Sequence, residues 1–222
     1  MMNTNKVIAI DGPSASGKST VARELAEKLD MLYVDSGSFY RAITWYALEN
    51  DISINNPELL IKNINNSEWN FYIESNQIVF SINGFRPINE LRTKEIRESV
   101  ALVAKQQKIR NIIVDYLRKC IRFGSLVIEG RDIGSAVFPN TPYKFYLDAD
   151  IKERAYRRYN QQKETGDFEK NDDVLISLNK RDSIDINRAK DPLIIPNDAI
   201  IIDSTNLTLN EVSDIIIKEV CN

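Results

Sequence analysis

The 222-residue chain contains no histidine. That absence removes every Ser-His-Asp and Cys-His nucleophile system and every His-ligated metal site. Catalysis has to run on Arg, Lys, Asp, Glu, hydroxyls and backbone amides. Cysteine is scarce too: Cys120 and Cys221 are too few for a four-thiolate zinc site and fit a reducing compartment. Positive charge is not in excess, because 29 Lys and Arg stand against 32 Asp and Glu, a formal net charge of -3. That balance argues against a general coat for nucleic acid or an acidic membrane surface. Long apolar runs are missing as well. Segments such as Ala199–Ile202 are far too short to span a bilayer, and the polar start Met1–Lys6 follows no signal-peptide core. The expectation is a soluble cytoplasmic protein with no nucleic-acid or membrane partner.

What is present is enough for a real core. At 43% hydrophobic and 27% charged residues, the chain suits one domain, or one domain carrying a large insertion. Short apolar runs ending in Asp, Glu or Gly recur at Val7–Ile10, Leu32–Val34, Leu126–Ile128, Lys144–Leu147 and Ile200–Ile202. Such runs, separated by amphipathic stretches, indicate parallel strands buried on both faces of an α/β sheet. Val21, Ala22, Leu25, Ala26 and Leu29 share one helical face, and Asn56-Pro57 reads as an N-cap followed by proline at the first helical position. Asp150…Glu153 and Thr208…Glu211 have capping-box spacing. Residues 63–92 break the rhythm. There Trp69, Phe71 and Ile73, then Ile78, Phe80 and Ile82, alternate with other residues, and Ser75-Asn76 and Asn83-Gly84 supply turns. The pattern predicts a small antiparallel insertion, three strands in all.

Gly12-Pro13-Ser14-Ala15-Ser16-Gly17-Lys18-Ser19, followed by Thr20, matches G-x-x-x-x-G-K-[ST] after a predicted strand and before a predicted helix. In that context successive N–H groups converge on a polyanion at the helix N-terminus, and bulky residues are excluded at the glycines. Lys18 reaches the β- and γ-phosphates, and the Ser19 hydroxyl completes a Mg²⁺ shell. The segment binds a nucleoside triphosphate.

Three readings then compete: a small-molecule kinase, a GTPase switch and a nucleic-acid motor. Asn179-Lys180-Arg181-Asp182 spells the guanine-reading N-K-x-D pattern, yet no Asp in the chain has Gly three residues later to sense a γ-phosphate. Arg181, Asp185 and Arg188 are also spaced for one helical face. A motor usually needs a longer chain, and the acidic balance offers it no electrostatic track. A small-molecule kinase must hold two polyanions side by side, and arginines from several elements meet that need. Arg41 follows the second strand, Arg131-Asp132 the third, Arg154, Arg157 and Arg158 the fourth, with Arg181 and Arg188 on the next helix. The strand-end positions fall at the C-terminal edge of the sheet, where α/β proteins bind ligands.

With these residues assembled, the chain resembles the bacterial cytidylate kinase family of nucleoside monophosphate kinases. The blocks that carry the likeness run from Ile10 to Thr20 and from Asp35 to Arg41, then Leu91-Arg92-Thr93, Gly130 to Gly134 with Val137-Phe138-Pro139, Arg181-Asp182, Asp185, Arg188, Pro192-Leu193 and Asp203-Ser204-Thr205. The resemblance implies a P-loop three-layer fold with a five-stranded parallel central sheet, a small antiparallel insertion and a helical lid. Its core comprises residues 1–62, 93–150 and 171–222, the monophosphate-binding insertion 63–92 and the lid 151–170. It implies a monomer that transfers the ATP γ-phosphoryl group to CMP or dCMP; a UMP acceptor and the GTPase remain the alternatives. Gly12 to Thr20 would bind ATP. Lys18, Arg131 and Arg157 would be catalytic, with Arg157 closing over the phosphates from the lid. Ser36, Arg41 and Arg131 would hold the acceptor phosphate, with Tyr40 beside them. Arg110, Asp132 and Arg188 would read the cytosine edge, and Arg181 and Asp185 would contact the sugar. Mg²⁺ would sit on Ser19, with Asp35 or Glu129 supporting it through water. Two departures from the family pattern stand out: Ala101 replaces a usual serine, and Glu129 replaces a common Asp. The loss of the serine leads us to expect weaker discrimination against UMP.

Overall fold

The computed structural model describes residues 5–164 and 171–221. The first part of the expected lid is therefore described. Its remainder, 165–170, and most of the polar start, 1–4, lie outside the described residues. In chain order the elements begin with β1 (Val7–Asp11), α1 (Lys18–Lys28), β2 (Leu32–Asp35), α2 (Ser36–Glu49) and α3 (Pro57–Asn66). The strands β3 (Trp69–Glu74) and β4 (Gln77–Ile82) and the helices α4 (Lys94–Ala104) and α5 (Gln107–Lys119) follow. Then come β5 (Leu126–Gly130), β6 (Tyr143–Asp148), α6 (Ile151–Glu164), α7 (Asn171–Ile186), β7 (Ile200–Asp203) and α8 (Leu209–Cys221).

One seven-stranded sheet runs β3-β4-β2-β5-β1-β6-β7, with every pairing parallel except β3 with β4. Period-2 geometry explains how a wholly apolar strand is used. Val7 and Ala9 of β1 join a core on one face with Phe39, Ile43, Ile109 and Ile113. Ile8 and Ile10 join the core on the other face with Val21, Leu25, Val212 and Ile216. Each large side chain removed from water in this way contributes on the order of 2 kcal/mol.

The helix starts follow their sequence signals. Asn56 accepts from the Leu59 N–H at 3.1 Å ahead of Pro57, and Asp35 accepts from the Ser38 N–H at 3.0 Å to open α2. At α8 the capping box is reciprocal: Thr208 N donates to Glu211 at 2.8 Å, and Glu211 N donates back to Thr208 Oγ1 at 3.3 Å. Asp150 accepts from the Lys152 N–H at 2.8 Å, but Glu153 turns to Arg157 instead of closing a second box.

The insertion differs from expectation. It is a two-stranded hairpin turning on Ser75 and Asn76, both at left-handed φ (46° and 60°). The expected third strand is replaced, among the described residues, by a lone bridge between Ile82 and Phe85 across the Asn83-Gly84 turn. Nor is the hairpin separate from the sheet. β4 pairs with β2 at Gln77 and Tyr33, and Tyr33 N donates to Asn76 O at 2.9 Å, so five parallel strands become part of seven. The reason is an edge to cover: the outer side of β2 would otherwise leave backbone groups unpaired. Aromatic packing fixes the join, with Phe39 of α2 stacked 5.8 Å from Phe71 and Trp69 lying 5.2 Å from Tyr116 of α5.

The C-terminal ends of the central strands lie level. Ile10 and Asp35 both register with Glu129, and Asp11 with Gly130 and Tyr146. The side chains that follow these strands are thereby delivered to one edge.

Candidate active site

The turn between β1 and α1 is built by its backbone. A Cβ on Gly12 would lie 2.0 Å from the Leu147 carbonyl oxygen, so only glycine fits. Ala15 and Gly17 take left-handed φ (61° and 93°), which turns successive N–H groups inward as an anion nest above the start of α1. Lys18 lies buried across the loop, and its ammonium donates to the Pro13 carbonyl at 2.5 Å and to Ser16 Oγ at 3.3 Å. Burial, and then the nearby Arg131, push it down to about 7 against the pull of Glu129 and Asp11.

Ser19 Oγ donates to Glu129 Oε1 at 2.6 Å, and the Tyr33 hydroxyl donates to the same oxygen at 3.2 Å. Ser36 Oγ donates to the Glu129 carbonyl at 2.6 Å. Asp35 has other work: besides capping α2, it pairs with Arg41 at 2.6 Å. Of the two carboxylates offered by the sequence beside Ser19, only Glu129 is bonded to it.

Beyond β5 the chain makes a tight approach. A Cβ on Gly130 would come within 2.6 Å of Ser36 Oγ and 2.7 Å of Ile133. Arg131 and Asp132 follow, then a single wide helical turn over Ile133–Val137. The buried Asp11 carboxylate accepts from Ile133 N and Gly134 N at 2.8 and 2.7 Å, tying that turn to the phosphate loop's strand. Burial raises Asp11 to about 6, with the two N–H bonds opposing.

The arginines and carboxylates form two linked groups. Arg131 Nε donates to Asp185 at 2.9 Å, and Arg188 Nε donates to the Asp185 carbonyl at 3.3 Å. Nη2 of Arg188 is buried with no hydrogen bond among the described residues. Arg110, wholly buried, pairs with Asp132 through Nη2 and with Asp191 through Nε at 3.2 Å, its guanidinium 5.7 Å from the Tyr40 ring centre. Burial raises the Asp132 carboxyl, with Arg110 and then Arg188 opposing, and burial likewise pushes the Tyr40 phenol up.

Helix α7 reaches back to the phosphate loop. Asp182 accepts from Ser14 N at 3.1 Å and pairs with Arg154, which also donates to the Ser14 carbonyl at 3.1 Å. This places the N-K-x-D match inside a helix, with its Asp committed to the loop backbone. Arg157 donates to Ser204 Oγ and O at 3.0 and 2.7 Å and pairs with Glu153, yet its Nη1 lies 3.7 Å from where a Cβ on Gly17 would stand. Arg181 donates to the Arg97 carbonyl at 3.1 Å and lines a cleft between α4, α6 and α7 with Lys94, Arg158 and Asp173. The structure therefore gathers Arg110, Asp132, Arg131, Asp185 and Arg188, while Arg181, one helical turn before Asp185 on α7, bonds to the Arg97 carbonyl. Three contributors were given no site role from the sequence: Asp11, Asp182 and Asp191. Asp11 and Asp182 stood inside blocks that carried the resemblance, Ile10–Thr20 and Arg181-Asp182, and Arg154 was among the arginines named after the fourth strand, whereas Asp191 had no signal.

A phosphate loop that opens α1, with arginines from several elements at the same sheet edge, defines a phosphotransferase of the P-loop kinase class. The cytidylate kinase family model matches residues 8–222. The cytidylate kinase of Alkaliphilus oremlandii is 41% identical over 95% of this chain and 95% of its own. That of Clostridioides difficile is 38% identical over 97% of this chain and 98% of its own. The chain belongs to the cytidylate kinase family, and with it to the nucleoside monophosphate kinases that use ATP as phosphoryl donor. A solved structure of an uncharacterized protein from Eubacterium ventriosum shares the fold at a TM-score of 0.53 and 16% identity, covering 98% of this chain and 99% of that one.

Proposed function

We propose that this chain transfers the γ-phosphoryl group of ATP to CMP or dCMP, giving CDP or dCDP and ADP. An oxygen of the acceptor phosphate forms the new bond to phosphorus, and the bond from the γ-phosphorus to the β,γ-bridging oxygen breaks. The acceptor oxygen is already anionic, so no protein base is needed and the lack of histidine costs nothing. Alignment and charge neutralisation do the work. The nest over Gly12–Thr20 and Lys18 hold the donor phosphates. Arg131 and Arg41, with Ser36, hold the acceptor phosphate, and Arg157 closes beside Gly17 from α6, which acts as a lid that excludes water. Arg181 and Asp185 meet the sugar from α7, and the hairpin within 63–92 walls the acceptor side of the core.

The observation that carries the base assignment is the buried set Arg110, Asp132 and Arg188. Cytosine offers an amino donor beside two acceptors, N3 and O2. One carboxylate between guanidinium groups is complementary to that edge, and the unbonded Nη2 of Arg188 supplies a spare donor. Mg²⁺ fits the oxygen pair of Ser19 and Glu129, which stand 2.6 Å apart where the donor phosphates would supply further ligands. When bound, the ion neutralises charge on the β- and γ-oxygens. The free thiols of Cys120 and Cys221 suit a cytoplasmic site of action.

The test is a coupled ADP-release assay with each nucleoside monophosphate in turn. CMP and dCMP should lead, with UMP about ten- to a hundredfold lower in kcat/KM and the purines lower still. A purine nucleotide as best acceptor would leave only the monophosphate-kinase class standing.

A further inference from the structure

Arg110 is held by two carboxylates from distant parts of the chain. Asp132 follows β5 and takes Nη2, while Asp191 follows α7 and takes Nε at 3.2 Å. Nη1 donates to the Ala104 carbonyl at 3.4 Å, and the Tyr40 ring lies 5.7 Å away. A guanidinium has five N–H bonds in a fixed fork. With Nε taken, the donors left over are one N–H on each terminal nitrogen.

The backbone at Asp191 is unusual in a way that points to the same contact. Its φ is 47°, the left-handed region, and the next residue is Pro192, which restricts the residue before it to extended conformations. The loop is drawn back onto α7 by a bond from Leu193 N to the Asp185 carbonyl at 2.9 Å. A strained, non-glycine residue stands here with its carboxylate turned onto a buried arginine.

We propose that Asp191 is a positioning residue for acceptor selection, holding Arg110 by Nε so that its terminal nitrogens and Asp132 meet cytosine in one register. The inference rests on the reading of CMP as acceptor. Without Asp191 the guanidinium turns about its bond to Asp132 and Nε–H becomes a third donor at the base edge. Uracil, which carries a carbonyl where cytosine carries its amino group, can accept that donor. Selectivity therefore falls along with affinity, whereas the ATP site does not change.

Two variants of the full-length protein separate this from a structural role. Asp191→Gly deletes the carboxylate while relaxing the left-handed backbone, which offsets part of the cost of leaving Arg110 Nε without its acceptor, and Asp132 still pairs with Arg110. Asp191→Asn keeps an oxygen that accepts from Nε. With kcat and KM measured for CMP, UMP and ATP, Asp191→Gly should raise KM for CMP about tenfold and lower the CMP:UMP ratio of kcat/KM by a similar factor, with KM for ATP within about twofold of wild type. Asp191→Asn should retain most of the ratio. An unchanged ratio in Asp191→Gly, an equal rise in KM for ATP, or an Asn variant as damaged as the Gly variant would each overturn the proposal. Wild-type protein that fails to phosphorylate CMP would instead overturn the proposed function, and the inference with it.

Discussion

Lys18→Ala is expected to lower kcat by roughly three powers of ten or more while the fold survives. The ammonium is buried inside the phosphate loop and, among the described residues, bonds only to groups of that loop, Pro13 O and Ser16 Oγ, so no core packing depends on it. What is lost is a positive charge at the place where charge moves from the acceptor to the β,γ-bridging oxygen. The burial that makes it effective also makes it costly in the free protein. Its ammonium is pushed from 10.5 down to about 7, so between those values the unfolded chain holds a proton that the native state has released. The penalty is full below about pH 7 and is relieved as pH rises toward 10.5. Lys18→Met, which keeps the volume without the charge, should therefore melt at or above the wild-type temperature near neutrality. That advantage should shrink in alkaline buffer. Turnover in the ADP-release assay and melting curves across pH check both halves. A Lys18→Ala variant that keeps about a tenth of wild-type turnover would remove the phosphate-loop account.

The second large effect falls on the acceptor side. Asp132→Asn preserves shape and can still accept from Arg110 through its amide oxygen. Its amide nitrogen, however, cannot accept from the cytosine amino group and can donate to the uracil carbonyl. We expect kcat/KM for CMP to fall about a hundredfold and the CMP:UMP preference to collapse or invert, from an unpaired contact costing about 1–3 kcal/mol in each direction. Stability should fall less than for a severed buried ion pair, because Asp191 still faces Arg110. The measurement is kcat/KM for CMP, dCMP and UMP with wild type and variant. An unchanged ratio would make Asp132 a structural carboxylate and move base recognition elsewhere.

The parts of this site that were legible in the sequence are those whose physics is local. A phosphate nest needs glycines and small residues in one short run, so Gly12 to Ser19 announced itself. Strand ends are read from short continuous apolar runs that stop at Asp, Glu or Gly, and helix starts from residues such as Asn56 and Thr208 that bond the next turn's N–H groups. The parts that were not legible depend on contacts between distant segments. Arg110 and Asp191 are 81 residues apart, and Asp182 meets Ser14 across 168. Nothing in the spacing of either pair marks it. The hairpin was read as an antiparallel unit because alternation is local, but its docking on β2 is set by which sheet edge remains open. Asp150…Glu153 shows the converse: the spacing suits a capping box, yet Arg157 at i+4 competes successfully for the glutamate.

Product identity tests the central claim most directly. Wild-type protein given γ-labelled ATP, CMP and Mg²⁺ should place the label on the β-phosphoryl group of CDP, one label for each ADP formed. Label appearing only as inorganic phosphate, or passing to a purine monophosphate while CMP stays unlabelled, would contradict it.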